Sequence, residues 1–365
     1  MQLKGLKYLL PLLLYTGCAF AFTRHGIFTW LPMMHAWILI PVLETFIPAS
    51  NRNMSEVEED LARKNKLYDA MLYLIVVLQY AALFYFLKQI AEPDLLWWER
   101  LGRIMCMGLL CGTFGINVGH ELGHRNNKTE QAFAKMLLAT SLYLHFFIEH
   151  NKGHHKHVAT PNDPSSARLN EPVYFFFLRT IIFSYLSAWH IANDESLKKR
   201  GKKFSIQNEM LAAHFWQLLL LLVIYLVFGL LPLLYFLCSA FMGILLLETV
   251  NYIEHYGLQR RETSPGKYER AMPHHSWNSN HVLGRMMLFE LSRHSDHHYL
   301  ASRKYQILKH HDNAPQLPTG YPGSMLLSLV PALWFGIMNR KIEQLNNPGM
   351  NENNYEGISI LPVPK

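Results

Sequence analysis

Residues 211–230, LAAHFWQLLLLLVIYLVFGL, and residues 233–250, LLYFLCSAFMGILLLETV, are two long apolar runs separated by only two residues. A helix needs roughly 20 mostly apolar residues to cross the hydrocarbon core of a bilayer. Lipid offers no hydrogen-bond partner to the backbone, so a lipid-exposed run of this length must be helical. These residues therefore predict two consecutive membrane-spanning helices.

Similar runs occur earlier in this chain of 365 residues, of which 50% are hydrophobic and only 17% are charged. With the pair above, the predicted spans cover residues 6–22, 28–46, 70–90, 101–119, 211–230 and 233–250. Lys4 and Lys7 give the first run the basic end of a signal peptide. A second run follows after a short break, so we expect a retained helix.

The formal net charge of +7 fits a membrane protein because lysine and arginine favour cytoplasmic segments. With the N-terminus inside, most basic residues fall in the predicted cytoplasmic segments 51–66, 120–210 and 251–365. The loop over 91–100 is net acidic and carries Trp97 and Trp98, which suit a membrane interface. The charge therefore predicts membrane lipid as a partner and no nucleic acid.

Four cysteines lie inside apolar runs, as small buried hydrophobic side chains do, and they imply no disulfide framework. They are Cys18, Cys106, Cys111 and Cys238. No C-x-x-C pair occurs in the sequence. We therefore expect no iron–sulfur or rubredoxin-type electron carrier within the chain itself.

Histidine is concentrated in three short clusters of the predicted cytoplasmic segments. They are HELGH at 120–124, EHNKGHH at 149–155 and HSDHH at 294–298. Residues three or four apart share one face of a helix, so each cluster presents neighbouring imidazoles at metal-ligand spacing. His255, in NYIEHYGL, comes just after the last predicted span and adds a fourth site.

Within EHNKGHH, we expect His150 and His154 to share a face, and His155, about 100° round the helix, to reach a second ion. Nine imidazoles exceed the four ligands of zinc and the six of an octahedral metal, so we predict two ions. Imidazole suits zinc, copper, iron and nickel, which leaves the element open. The predicted ligands are His120, His124, His150, His154, His155, His255, His294, His297 and His298.

Each histidine site also has a neighbouring carboxylate. A metal-bound imidazole usually donates its other N–H to a carboxylate or carbonyl, so these acids are candidates to orient the rings. A simple ion pair or helix cap is an equal alternative for each one. The candidates are Glu121, Glu149, Glu254 and Asp296, with Glu248 and Asn251 on the helix that leads to His255, and His281 in a loop.

The other histidines are expected to be structural, except in PHHSWNSNH. There His274 and His275, like His281, are as consistent with support of the metal site as with loop structure. The structural set is His25, His35, His145, His157, His190, His214, His310 and His311.

Residues 133–148 and 173–189 are apolar enough to span the bilayer, but an even number of spans is needed to keep all histidine clusters on one side. We therefore predict short helices at the cytoplasmic interface for both. The predicted fold is all-α, with one integral-membrane domain over 1–365 and six transmembrane helices. A cytoplasmic histidine-rich cap, formed by 120–210 and 251–365, is expected to hold a di-metal site.

Two other functions use the same histidines differently. HELGH matches H-E-x-x-H, the helix of zinc metalloproteases in which the glutamate is the general base. That function needs only one further ligand and leaves six histidines without a role. A metal transporter, in contrast, requires ligands deep inside the spans and not at their ends.

The motifs HELGHR, EHNKGHH, LLETVNYIEHYGL and RHSDHH, together with HSWNSNH, resemble those of the integral-membrane, histidine-rich di-iron oxygenases. This superfamily includes fatty-acyl desaturases, xylene monooxygenase and alkane 1-monooxygenases. The chain is most similar to the bacterial alkane 1-monooxygenases over residues 30–335, since NYIEHYGL is an element that desaturases lack. Ser292 and Arg125 depart from the family pattern, which often has Gln and Lys there, but neither is a presumed ligand.

The resemblance implies hydroxylation of the terminal methyl group of medium- to long-chain n-alkanes to 1-alkanols, with two non-haem iron ions activating O₂. It carries the nine histidines over as iron ligands. It also implies rubredoxin as electron donor, an NADH-dependent rubredoxin reductase, and a multi-pass protein of the bacterial inner membrane with a cytoplasmic active site. Hydroxylation of xylene-type methyl groups or fatty-acyl chains is the related alternative. The basic residues proposed for docking an acidic rubredoxin are 198–203, Arg260, Arg261 and Arg293.

Overall fold

The computed structural model describes residues 5–346 and is mostly helical there. Lys4 and residues 347–365, which the sequence assigns to the cytoplasmic side, lie outside the described residues. The first helices in chain order are α1 (Leu6–Thr23), α2 (Gly26–Phe46), α3 (Glu56–Lys64), α4 (Lys66–Gln89), α5 (Trp97–Gly123), α6 (Lys128–Ala139) and α7 (146–157). The long helices α8 (Val173–Arg200), α9 (Glu209–Phe228) and α10 (Leu230–His255) follow.

Beyond α10 the chain forms short elements packed around the histidine-bearing helix ends. These are the hairpin β1 (Glu262–Ser264) and β2 (Lys267–Tyr268), 3₁₀ turns at Pro273–His275 and Tyr305–Ile307, and the helices α11 (Val282–Met287), α12 (His294–Tyr299), α13 (Tyr321–Ser328) and α14 (Pro331–Asn346). The two strands pair antiparallel. Helices α13 and α14 meet at an angle of 119°.

Seven helices within residues 5–346 are long and apolar enough to cross a membrane: α1, α2, α4, α5, α8, α9 and α10. Six of them correspond to the six spans expected from the sequence. The seventh, α8, extends over 28 residues, about 42 Å at 1.5 Å per residue. The expectation of a short helix at 173–189 was therefore wrong, because the polar residues that follow Trp189 continue the helix up to the left-handed Gly201.

Residues 133–148 do not form one helix. Helix α6 ends at Ala139, the chain turns through Leu142 with a positive φ of 52°, and α7 begins at Phe146. The sequence correctly indicated short helical structure here, but the expectation of one short helix over 133–148 was wrong. The turn redirects the chain so that α7 lies beside α8 and near the end of α5.

Two long helices continue further than the sequence indicated. Helix α5 passes through a π-helical segment at Cys111–Ile116 and ends at Gly123, so His120 lies within it. Helix α10 ends at His255 itself, which was expected just beyond the span. The histidine of each helix thus lies in or next to its last turn, on the side where the cap packs.

Buried ion pairs fix the cap against the start of the chain. Glu290 accepts hydrogen bonds from Lys7 at 2.9 Å and from the Tyr8 hydroxyl at 2.6 Å, and it pairs with Arg285. Burial alone would raise the pKa of Glu290, but Arg285 and Lys7 lower it to about 2. The first span and the loop that leads to α12 are thus joined electrostatically.

Candidate metal centre

The nine histidines that the sequence singled out all come together, in two adjacent groups. In each group the ligand nitrogens lie within 4.8 Å of one another. The five-histidine group consists of His120, His124, His150, His155 and His297. The four-histidine group consists of His154, His255, His294 and His298.

A π-helical turn in α7 decides which group each of its rings joins. Residues His150–His154 form this turn, in which hydrogen bonds link residue i to residue i+5. His150 and His155 therefore share a face, and their Nε2 atoms are 3.0 Å apart. His154 points to the other group, so the pairing of His150 with His154 expected from α-helical spacing was wrong.

Helix α12 also divides its rings between the groups. His294 and His298, four residues apart, have Nε2 atoms 2.8 Å from each other. His297 faces the opposite group, with its Nε2 2.9 Å from that of His120. Because α7 and α12 each contribute to both groups, the two groups form one centre.

Two observations show that these nine histidines are suited to bind metal ions. The His124 Nε2 is buried without a hydrogen-bond partner among the described residues, which leaves it available as a ligand. Burial and the neighbouring imidazoles lower the pKa of His150, His155, His294 and His298 well below the ordinary value. These rings are consequently neutral at physiological pH, the state in which imidazole binds a metal.

Two carboxylates contact the four-histidine group. Asp163 accepts a hydrogen bond from His154 Nδ1 at 2.9 Å, which directs Nε2 inward. Glu254 places an oxygen 3.2 Å from His294 Nε2, and the Tyr321 hydroxyl donates to its other oxygen at 2.7 Å. Burial opposes the ionisation of Asp163, but His154 and the hydroxyl of Ser166 lower its pKa.

Asp163 was missed at the sequence level. It lies in the loop ATPNDPSSARLNEP, nine residues from its partner, where Pro and Asn indicated only turns. Its surroundings distinguish it from a turn residue: it is 2% exposed, and Ser165 N–H and Ser166 O–H both donate to it. A fully buried aspartate needs such donors, and the two adjacent serines were the available signal.

Of the seven candidates to orient the rings, only Glu254 contacts a ligand histidine among the described residues. Glu121 pairs with Arg125 and accepts from the Tyr305 N–H. Asp296 binds Arg303 and His311. For these two acids the structure shows the ion-pair alternative.

The remaining candidates have other partners. Glu248 accepts hydrogen bonds from Tyr143, Thr180 and Asn251, which accounts for Asn251 as well. His281 interacts with Ser279. Within residues 5–346, Glu149 accepts a single hydrogen bond, from the Ser187 hydroxyl at 3.4 Å. Burial, with Asp163 and Glu248 nearby, raises its pKa well above the ordinary value, which favours the protonated acid.

A third group that could hold an ion is formed by Glu269, His274 and His275. The Met272 N–H donates to His275 Nδ1 at 3.0 Å, so the ring hydrogen is on Nε2. That Nε2 faces Glu269 Oε1 at 3.4 Å and has no lone pair to offer. His275 is therefore held by the loop and by Glu269, and the alternatives for His274 stay open.

An apolar cavity ends about one helical turn from the centre. It measures about 80 Å³, lies between α1, α2, α5 and α10, and is lined by Leu14, Trp37, Asn117 and Val250 among others. Asn117 precedes His120 by one helical turn. A larger groove of about 580 Å³ between α1 and α2 shares Leu14 and His35 with this cavity.

Comparison with known proteins identifies the family. The fatty acid desaturase family model matches residues 95–325. Alkane 1-monooxygenase 1 of Pseudomonas aeruginosa is 45% identical over 246 residues, 67% of this chain and 64% of that protein. Alkane 1-monooxygenase 2 of the same species is 40% identical over 319 residues, 86% of this chain and 84% of that protein. The chain belongs to this family, among the alkane 1-monooxygenases.

This membership confirms the resemblance found in the motifs. The match to the family model includes all nine histidines of the two groups. The xylene/toluene monooxygenase hydroxylase component XylM of Pseudomonas putida is a more distant relative, 28% identical over 65% of this chain and 63% of that protein. Among the relatives, identity is thus higher for the alkane 1-monooxygenases than for the xylene enzyme.

Proposed function

We propose that this alkane 1-monooxygenase hydroxylates the terminal methyl group of medium- to long-chain n-alkanes, using O₂ and electrons from rubredoxin. The observation that carries the proposal is the convergence of nine buried, closely spaced imidazoles at the ends of apolar helices. No acid–base pair breaks an unactivated C–H bond, so the chemistry requires a metal-bound oxidant. Two iron ions supply the activation of O₂ when bound.

The chain's own residues would hold and orient these ions. The five-histidine group would bind one ion and the four-histidine group the other. Asp163 keeps His154 in the tautomer that exposes Nε2, and the hydrogen bond from Tyr321 fixes the Glu254 carboxylate beside His294. Nearly complete burial of His255, His294 and His154 excludes bulk water from the site.

The substrate would come from the lipid. The groove between α1 and α2 faces outward, with exposed Leu13 and Ile38, and the narrower cavity leads from it toward the helix turn that carries His120. Burying apolar chain contributes about 0.8 kcal/mol per CH₂, so an alkane binds there without a polar group. A narrow cavity admits the end of an unbranched chain more readily than an aromatic ring, which favours alkanes over xylene-type substrates.

We propose six spans, with α8 lying along the cytoplasmic interface of the bacterial inner membrane. Seven crossings would put the ends of α5 and α10 on opposite sides, yet these ends share one centre. Both ends of α8 contact the cap: Tyr174 near its start donates to the Leu329 carbonyl, and Glu195 near its end pairs with Lys152 of α7. These contacts support a helix that runs across the cap.

Electrons would arrive at the same face from an acidic rubredoxin, itself reduced by an NADH-dependent reductase. Lys198, Lys199 and Arg200 end α8, and Arg261 is largely exposed. Arg260 and Arg293 are buried and bound to backbone carbonyls, so they offer no docking surface. Turnover with purified rubredoxin should fall as ionic strength rises; insensitivity to salt would contradict docking by these charges.

The alternative functions fit the geometry less well. In a zinc protease the glutamate of HELGH would serve as base, but Glu121 is engaged by Arg125 and the Tyr305 N–H. A transporter would hold its ligands deep inside the spans, whereas α7 and α12, which supply six of the nine rings, are short helices of the cap. Fatty-acyl hydroxylation remains the related alternative.

One experiment separates these functions. The purified protein is assayed for metal content and, with rubredoxin and reductase, for O₂ uptake on addition of n-dodecane or p-xylene. We expect two irons per chain, dodecane-dependent O₂ uptake and 1-dodecanol as product. One zinc per chain without O₂ uptake would overturn the proposal.

A further inference from the structure

A second cavity lies apart from the histidine groups. It measures about 380 Å³ and is bounded by α8, α9, α10 and the turn before α7. This volume lies within the roughly 300–1,000 Å³ of small-molecule pockets. Tyr143, which lines the cavity, stacks on Phe146 with the ring centroids 6.0 Å apart, and Phe146 stacks on His150 with the centroids 4.7 Å apart. The cavity is thus two aromatic layers away from a candidate metal ligand.

The wall of this cavity is mainly aliphatic and continues to the outer surface. Ile182 and Leu186 of α8 line it and are also 54% and 44% exposed, on the face that α8 would turn to lipid. Ile244 of α10 lines the opposite side. An unbranched hydrocarbon chain could therefore extend from the cavity into the bilayer without passing through water.

His145 introduces an unsatisfied polar atom into this apolar wall. Its side chain is buried, 8% exposed, and its Nε2 has no hydrogen-bond partner among the described residues. The ring packs edge-on against Tyr143 and Tyr185, with centroid distances of 4.3 and 5.3 Å. Burial and the nearby His214 lower the pKa of His145 to about 3, so the ring is neutral. A buried polar atom without a partner is rare and calls for a ligand.

The neighbouring groups have hydrogen-bonding capacity left for the same ligand. His214 Nδ1 donates to the Met210 carbonyl at 2.7 Å, so its Nε2 accepts from the Tyr185 hydroxyl at 2.9 Å. The Tyr185 oxygen therefore keeps its lone pairs as acceptors. Gln217 uses its carbonyl oxygen to accept the Leu144 N–H, which leaves its NH₂ group as a donor.

We propose that this cavity binds the hydroxyl end of a long-chain primary alcohol, with its chain along the aliphatic wall. The alcohol is the product class of the proposed function, on which this inference rests. Its O–H would donate to His145 or Tyr185 and its oxygen would accept from Gln217. The cavity is thus a subsite through which product leaves toward the lipid.

The composition of the cavity wall favours an alcohol over an alkane, a carboxylate or a phosphate. An alkane leaves the His145 nitrogen unsatisfied. A carboxylate or phosphate would be buried without a cation, since the lining residues include no lysine or arginine. A hydroxyl group both donates and accepts, which matches the mixture of groups around His145.

Binding of tritiated 1-dodecanol to the purified holoprotein in nanodiscs tests the proposal. We expect His145→Phe to weaken binding about three- to tenfold, the range for one lost hydrogen bond. Tyr185→Phe, which removes one oxygen and keeps the ring, should weaken it as well. Tyr174→Phe is the matched control: this hydroxyl is on the same helix but donates to the Leu329 carbonyl outside the cavity.

Several outcomes would overturn the proposal. They are unchanged dodecanol binding in both cavity variants, displacement of dodecanol by equal concentrations of n-dodecane, or tighter binding of dodecanoate than of dodecanol. Turnover is measured separately, with dodecanol inhibition constants expected to rise in the cavity variants. Dodecanol binding that depends on His145 in a protein without dodecane hydroxylation would contradict the proposed function and leave the cavity as an alcohol site.

Discussion

The two histidine groups differ in what surrounds their rings. The four-histidine group has a carboxylate at His154 and another at His294. The five-histidine group has a fifth imidazole, and within residues 5–346 no carboxylate contacts its rings. The four-histidine group therefore has the negative charge of Asp163 in place of a fifth ring, and within the described residues the other group has no anion at its rings. Charge next to a metal stabilises its higher oxidation state, so the two ions are expected to be inequivalent.

The largest effect is expected when one ligand is removed from each group. His255→Ala leaves three rings in its group, whereas His124→Ala leaves four. We expect His255→Ala to lose one iron of two and all hydroxylation, a greater effect than the 10–100-fold typical of outer partners. His124→Ala should retain more iron. The iron content of both variants is measured after exposure to a chelator. Equal iron loss in the two variants would contradict the predicted difference between the two groups.

The next test removes the negative charge and leaves every ring in place. Asp163→Asn cannot accept the His154 N–H as an anion, so we expect metal affinity to fall about 10–100-fold in the four-histidine group. Glu121→Gln is the matched control, because Glu121 is adjacent to a ligand in sequence but pairs with Arg125. Its iron content should remain at two per chain. Equal iron loss in both variants would indicate a general loss of folding.

The contrast between Asp163 and Glu121 shows what the sequence could predict. All nine histidines and the helical membrane fold followed from local spacing and apolar run length. The carboxylate partners of these rings could not be predicted in this way, because they depend on which way a side chain points after the backbone turns. Glu121 is next to His120 yet faces Arg125, while Asp163, nine residues from His154, folds back onto it. The division of His150, His154 and His155 between the two groups was also not predicted, because their spacing was interpreted with α-helical geometry.

The π turn itself offers a smaller test. A Cβ at Gly153 would lie 2.6 Å from Glu149 Oε1 and 3.2 Å from Ile191 Cδ1, so Gly153→Ala forces the turn or the carboxyl group to move. Overpacking of this kind destabilises by roughly 1–3 kcal/mol. We expect a lower midpoint of thermal unfolding and a weakened division of His150, His154 and His155 between the groups. Gly336→Ala is the control, because a Cβ added at that position would have no contact within 4 Å among the described residues.

The smallest effect is expected for Tyr321→Phe. Its hydroxyl donates to Glu254 at 2.7 Å, and loss of one such bond typically changes a free energy by about 0.5–1.5 kcal/mol. The Glu254 carboxyl group would lose its fixed orientation beside His294. We therefore expect a several-fold loss of affinity for the ion of the four-histidine group only, measured by metal titration of the apoprotein. Weakening of both ions alike would mean that the carboxylates support the whole centre, and the difference between the groups would then reduce to the number of rings.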